Sequence, residues 1–282
     1  MLMRFLFLLM LLTWMAVPNV HAQVGISPRT LDVVLDEDGR SHSIRLFNLS
    51  EKPFKVAVSV DHWTLDENNE VEIIPSTPIS LDQWMIVNPL NFEIPPGESQ
   101  AIRIGFRPQT ELADGEYRAM LYFEQQLPPD DKPDVKQIRS RFRIGAAVYA
   151  HVGAVNAAAQ IEQVSVQGKQ VLVDIVNTGN THVRLDGQWS IWPADLYPGA
   201  DVTHQIVGLG RDAAQIPDGV VSAGFLPRNP VLPGHERRIV FELEDLPQQA
   251  QSLVLDMDAQ FADKALDRAE SFYWAGHENN GP

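Results

Sequence analysis

From residue 23 onward the chain is written in twos. Phe54, Val56, Val58 and Val60 are apolar, and Lys55, Ser59 and Asp61 between them are polar. A period of two puts one side of a strand in a core and the other in water. The same alternation returns at Ile102, Ile104 and Phe106, at Val171, Val173 and Ile175, and at Val183, Leu185, Trp189 and Ile191. It returns again at Ile239, Phe241 and Leu243, and at Leu253, Leu255, Met257, Ala259 and Phe261. Turn clusters separate these runs: Asp36-Glu37-Asp38-Gly39, Pro95-Pro96-Gly97, Asp114-Gly115, Asn177-Thr178-Gly179-Asn180 and Pro233-Gly234. Many short strands at near-regular spacing predict antiparallel sandwiches or barrels. No amphipathic helix longer than about three turns is visible. The stretch 261–271 reads equally as a short helix or as a hairpin.

The pattern is different at the start. Arg4 precedes an apolar run, FLFLLMLLTWMAV, which Pro18 ends, and His21-Ala22 places a small residue before a cut. This is the layout of a secretory signal peptide covering residues 1–22. The run is shorter than the roughly 20 apolar residues of a spanning helix. The expectation is therefore an exported protein, periplasmic, cleaved after Ala22 and with no membrane insertion afterwards. A small-residue stretch at 151–157 marks a boundary, giving domains at 23–152 and 155–275 and a flexible tail at 276–282. The halves echo each other. Each has an early strand that ends in an Asn turn (Phe47-Asn48 and Val176-Asn177), and a later PG turn leading into a basic–apolar strand (PPGESQAIRIGF and LPGHERRIVF).

Composition narrows the chemistry. The 282 residues contain no cysteine, which excludes a thiolate nucleophile, Cys-ligated zinc, an iron–sulfur cluster, a disulfide framework and a lipid anchor on an N-terminal cysteine. A net charge of −15 argues against nucleic acid as a partner. His42, His62, His151, His182, His204 and His235 are scattered, without metal-ligand spacing. There is no nucleophile elbow and no phosphate-binding Gly loop, and Gly208-Leu209-Gly210 lacks both the third glycine and the βαβ context. Glu242 and Glu244 fall on the solvent row of a strand, and Trp189 and Trp192 read as core. No catalytic residue, cofactor or metal site is predicted, and the protein is not read as an enzyme.

Three segments carry a resemblance: VGISPRTLDVVLDEDGRSHSIRLFN from Val24, WMIVNPLNFEIPPGESQAIRIGF from Trp84, and LADGEYRAMLYFEQQLPP from Leu112. In this order, over about 130 residues, they resemble the N-terminal domain of PapD-like periplasmic pilus chaperones. The resemblance implies an all-β protein: two tandem immunoglobulin-like β-sandwich domains after a signal peptide. It implies a chaperone that works without ATP, binding and stabilising pilus or fimbrial subunits by β-strand addition, with those subunits and an outer-membrane usher as partners. The rival readings are a non-chaperone exported β-sandwich, structural or adhesion-accessory, and an exported carbohydrate-binding or hydrolytic protein. Independently, Tyr117 shortly after the Asp114-Gly115 turn fits a tyrosine corner, a structural role for Asp114 and Tyr117.

The family's donor is the last strand of the first domain, here within 135–152, set beside the opening strand at 24–35. Ile138, Phe142, Ile144, Ala146, Val148 and Ala150 form one row, and Arg139, Arg141, Arg143, Gly145, Ala147 and Tyr149 the other. Unpaired arginines cannot face a core, so the even row is the core and the odd row faces out. The family also grips a subunit carboxylate with two basic residues. Direct matching puts Leu31 and Ala146 there, and a slip of two puts Arg29 and Arg143 there. The candidate partner-binding residues are thus Arg29, Arg139, Arg141, Arg143, Gly145 and Ala147. The basic run KQIRSRFR at 136–143 has two open readings: charges that protect an edge strand from stray pairing, or a basic edge that recruits an acidic partner.

Overall fold

The computed structural model describes residues 23–35, 41–66, 68–127, 141–206, 217–262 and 264–276. The signal segment, the acidic turn at 36–39, the basic run up to Arg139, Gly208-Leu209-Gly210 and the tail from 277 lie outside the described residues.

The alternating runs form strands, and the apolar rows close two cores. In chain order the first part contains β1 (Val24–Ser27), β2 (Thr30–Leu35), β3 (His42–Asn48), β4 (Phe54–Asp61), β5 (Trp63–Leu65), β6 (Val71–Ile73), β7 (Met85–Asn88), β8 (Asn91–Ile94), β9 (Ser99–Phe106), β10 (Gly115–Gln126) and β11 (Arg143–Val152). One sheet runs β1-β3-β9-β7, and the facing sheet runs β2-β11-β10-β4-β8. Ile44, Leu46, Ile102 and Ile104 from the first sheet meet Val56, Leu121, Phe123, Ala146 and Val148 from the second. β5 and β6 make a separate small hairpin.

The second part contains β12 (Ala159–Gln167), β13 (Gln170–Asn177), β14 (Val183–Pro193), β15 (Ser222–Phe225), β16 (Pro230–Val231), β17 (Glu236–Glu242), β18 (Gln251–Phe261) and β19 (Lys264–Trp274). The sheet β12-β13-β17 packs on the sheet β15-β14-β18-β19. The ambiguous stretch after Phe261 is a hairpin: Phe261 pairs with Lys264 across a two-residue turn, and Ala262 has a φ of 50°. β18 is buried on both faces. Leu253, Leu255 and Met257 enter the core, while Val254 and Asp256 are buried on the far side. There Tyr197 Oη donates to Asp256 Oδ1 at 2.6 Å, and the Trp192 and Tyr197 rings stand 6.4 Å apart.

The internal echo has an atomic counterpart. Asn48 Nδ2 donates to the carbonyls of Lys52 and Ile94 at 2.8 and 2.9 Å, and its Oδ1 accepts the Ser50 N–H at 2.9 Å. Asn177 Nδ2 donates to the carbonyls of Thr181 and Val231 at 2.9 and 2.8 Å, and its Oδ1 accepts the Gly179 N–H at 2.8 Å. In each case one buried amide ties the end of a strand to its own turn and to the residue just before the PG segment. Both side chains are fully or almost fully buried, so the amides must be satisfied internally, and they are.

Candidate functional site: the open edge of β11 and the joint beside it

β11 is bonded along its whole length to β10, from Arg143↔Glu124 to Val152↔Gly115. On its other side β2 runs parallel to it, but only from Ala147↔Thr30 to Val152↔Leu35. The side of Arg143–Ala146 away from β10 therefore has no strand partner among the described residues. The slot is four residues long, about 13 Å at the usual rise per residue. The break between β1 and β2 creates it. β1 pairs with β3 in one sheet, Pro28 and Arg29 turn the chain, and β2 enters the other sheet beside β11. Arg29 is exposed and immediately precedes Thr30, so it stands where β2 ends and the slot begins.

On the two faces of β11, Ala146, Val148 and Ala150 are buried in the first core, and Phe142 packs against it. The other row begins with cations already engaged at home. Arg143 lies over the Tyr122 ring, 3.7 Å from its centroid, with Nη2 3.8 Å from Asp61 Oδ2. Arg141 Nη1 is 2.8 Å from Glu124 Oε1. A Cβ on Gly145 would sit 3.0 Å from Met120 Sδ and 3.1 Å from a Tyr122 ring carbon, so this site takes no larger side chain unless those two move. Ala147 packs against a small cluster of Trp63, Leu65, Met120, Tyr149 and Leu232. The outward row is thus a cation on a ring, then glycine and alanine, then a buried tyrosine. Leu31 is half-buried and packs against the first core, and Arg139 lies outside the described residues.

Beyond Ala147 the row passes under the second sandwich. Tyr149 lies tilted against His182 at 4.3 Å between ring centroids and meets Trp63 edge-on at 6.0 Å. Burial pushes its phenol up to about 12, so the group is neutral at ordinary pH. Sequence reasoning left Glu116 unremarked, and it is the centre of this joint. Its side chain is fully buried, and Oε2 accepts from Thr181 Oγ1 at 2.9 Å, from the His182 N–H at 2.8 Å and from His182 Nδ1 at 2.5 Å. Burial pushes the carboxyl up, but the His182 and Thr181 hydrogen bonds and the His182 charge outweigh it and hold the group below the ordinary glutamate value. The adjoining Glu116 N–H donates to the Asn180 carbonyl at 2.9 Å. Gly115, at φ 140°, lies so close that a Cβ would meet that oxygen at 3.1 Å. Arg237 donates to the Leu65 carbonyl across the same boundary. A pairing between residues 66 positions apart leaves no periodic trace, which is why the pattern of the chain did not reveal it.

Tyr117, one residue on, donates from Oη to the Ala113 carbonyl at 3.1 Å and packs edge-on against Trp84 at 5.7 Å. Asp114 lies against Gly153, whose φ of 58° and contact with the Asp114 carboxylate leave no room for a Cβ. Among the described residues no group of three or more His, Asp or Glu is placed to hold a metal ion, and no helix is long and apolar enough to cross a membrane.

No family model and no curated protein matches the chain. Among solved structures it is similar to the YadV chaperone, at 13% identity over 89% of this chain and 100% of that one, with a TM-score of 0.48. It is also similar to a chain from a chaperone–tip adhesin complex of CFA/I fimbriae biogenesis, at 15% identity over 91% and 100%, with a TM-score of 0.46. A third is the class 5 fimbriae chaperone CfaA, at 15% identity over 90% and 100%, with a TM-score of 0.45.

Proposed function

We propose that the protein is a divergent PapD-like chaperone of exported pilus or fimbrial subunits, acting in the periplasm and handing its cargo to an outer-membrane usher. The single observation that carries this reading is the slot beside Arg143–Ala146, where a central strand loses its neighbour while the rest of it stays paired. A subunit strand laid there parallel to β11 would continue the line of β2 and satisfy the open backbone groups, which is strand addition. The ordered segments of the first half support the same reading.

The side-chain row alters how such a complex holds. Arg143, Gly145 and Ala147 offer no apolar knobs for a groove, so main-chain hydrogen bonds supply most of the grip. Arg29 and Arg143, at the two ends of the slot, provide the positive charge that would meet a subunit carboxylate. No catalytic step or cofactor belongs to this function.

The test is capture. Co-expressed with a fimbrial subunit that lacks one edge strand of its own sandwich, the tagged protein should retain that subunit one-to-one and keep it soluble. Recovery of the bare protein, with the subunit aggregated, would overturn the proposal.

A further inference from the structure

Among the remaining sheet edges, β2 and β17 have six and seven residues, with charges at Asp32 and at Glu236, Arg237, Arg238 and Glu242, and others are shorter or broken. β1, β7, β8 and β15 have four residues each. β12 is broken by a register shift between Ile161 and Gln163. β19 is different. It is an edge strand of 11 residues, it contains no proline, and its register against β18 runs unbroken from Lys264 to Trp274. Among the described residues no strand pairs with its far side. A long, regular, unbroken edge is a template for another strand.

We propose that β19 pairs antiparallel with β19 of a second copy of this chain, giving a two-fold dimer through the second sandwich. The direction of the backbone groups and the charge pattern select this occupant and its register. The closing pair Phe261↔Lys264 turns the backbone groups of even-numbered residues toward β18. Those of Ala265, Asp267, Ala269, Ser271 and Tyr273 therefore point outward, and a two-fold axis passes either through a bonded pair at an odd-numbered residue or through a non-bonded pair at an even-numbered one. With the axis at Ala269, Arg268 faces Glu270 of the second copy, and Glu270 faces its Arg268. Leu266 then faces Phe272, Asp267 faces Ser271, and no like charges oppose. Moving the axis to Asp267 sets two aspartates against each other. Moving it to Ser271 sets Arg268 and Glu270 opposite aromatic rings. Axes at Leu266, Arg268 or Glu270 oppose like charges, and an axis at Phe272 sets Glu270 against Trp274 and leaves Arg268 outside the paired stretch.

Arg268 and Glu270 already stand 2.8 Å apart on one strand. In the dimer the four charges alternate around the axis, each with an opposite neighbour along its own strand and another across the interface. This self-complementarity belongs to the strand's own sequence and does not rest on the chaperone reading, which uses the other sandwich.

The experiment is sedimentation velocity on the purified full chain across a concentration series. The wild type is expected to show a reversible monomer–dimer equilibrium. Arg268→Glu alone and Glu270→Arg alone should each weaken association by about tenfold or more, since both symmetry-related pairs become repulsive. The double exchange Arg268→Glu/Glu270→Arg should restore it, with circular dichroism confirming that each variant is folded. The chain has no cysteine, so single substitutions report on register without background. Directly paired residues sit about 5.5 Å apart at Cα, within disulfide reach. Oxidation should therefore cross-link the Ala269→Cys variant and leave the Ala265→Cys variant largely free. A monomer at every concentration would overturn the proposal. So would a dimer indifferent to charge reversal, a double exchange that fails to restore association, or cross-linking as ready at 265 as at 269.

Discussion

Asn48 and Asn177 occupy the same place in the two sandwiches and do the same work with the same atoms. Each donates to two carbonyls and accepts one N–H from within a sealed core. Asn48→Ala and Asn177→Ala each leave buried backbone groups unpaired, at about 1–3 kcal/mol per site. Urea unfolding should show losses of that size for both, and an unchanged midpoint for either would contradict the assigned role. The alternation along the chain revealed that the halves echo each other. It could not reveal that the echo is a buried polar clamp, because an asparagine near a turn looks alike in sequence whether it faces water or the core. Asp258 presents the reverse case. Burial pushes its carboxyl up to about 6, and the neighbouring Asp256 and Asp267 add to the effect. An acid whose folded pKa is raised favours folding most below its unfolded value near 4, and that contribution is lost as pH rises through about 6. Asp258→Asn should therefore raise the neutral-pH melting temperature, by up to about 1 kcal/mol in stability after allowing for its partial exposure. At pH 4 the gain should vanish.

At the scale of the element, β11 was legible in part. Its two rows separate in the structure as the sequence pattern divides them: Ala146, Val148 and Ala150 are inside, and Arg143 lies on the opposite face. The tertiary context of the outward row was not legible. Tyr122 and Asp61, which engage Arg143, and Glu124, which engages Arg141, come from β10 and β4, and alternation cannot say which strands become neighbours. Nor could it say that β2 would cover only the later half of β11. The 261–271 stretch stayed ambiguous for a related reason, since short apolar runs satisfy both periods until a pairing partner decides. Arg141 and Arg143 are well exposed, so their ion pairs contribute little to stability, about 1 kcal/mol or less each. Charge reversal of Arg139, Arg141 and Arg143 together should leave the melting temperature nearly unchanged while abolishing subunit capture. Undiminished capture would favour edge protection as their only role.

For the whole molecule, the joint at Glu116 ties the first sandwich to the second. A carboxylate with a depressed folded pKa contributes stability above its unfolded value, near 4.5, and loses it as pH falls through the lower folded value. Glu116→Gln should cost about 1–3 kcal/mol at pH 7, because His182 and Thr181 lose a charged acceptor in a buried site. The gap between wild type and variant should close in acid, below pH 4.5. Thermal unfolding followed across pH checks this, and a gap constant with pH would contradict it. If the joint holds the sandwiches rigidly, the variant should also show a broader distribution of dimensions by small-angle scattering. The slot on β11 ends at Thr30, so a captured strand would meet β2 and Arg29 at its inner end, short of this joint.

Strand addition at that slot can be followed by hydrogen exchange. Amide exchange would be compared, peptide by peptide, between the free protein and the protein holding a strand-deficient fimbrial subunit. New protection is expected at Arg143–Ala146 and around Arg29, with β9 and the outer edge of β19 unaffected by the subunit. Protection confined to other surfaces, or a complex in which Arg143–Ala146 exchanges as fast as in the free protein, would contradict it.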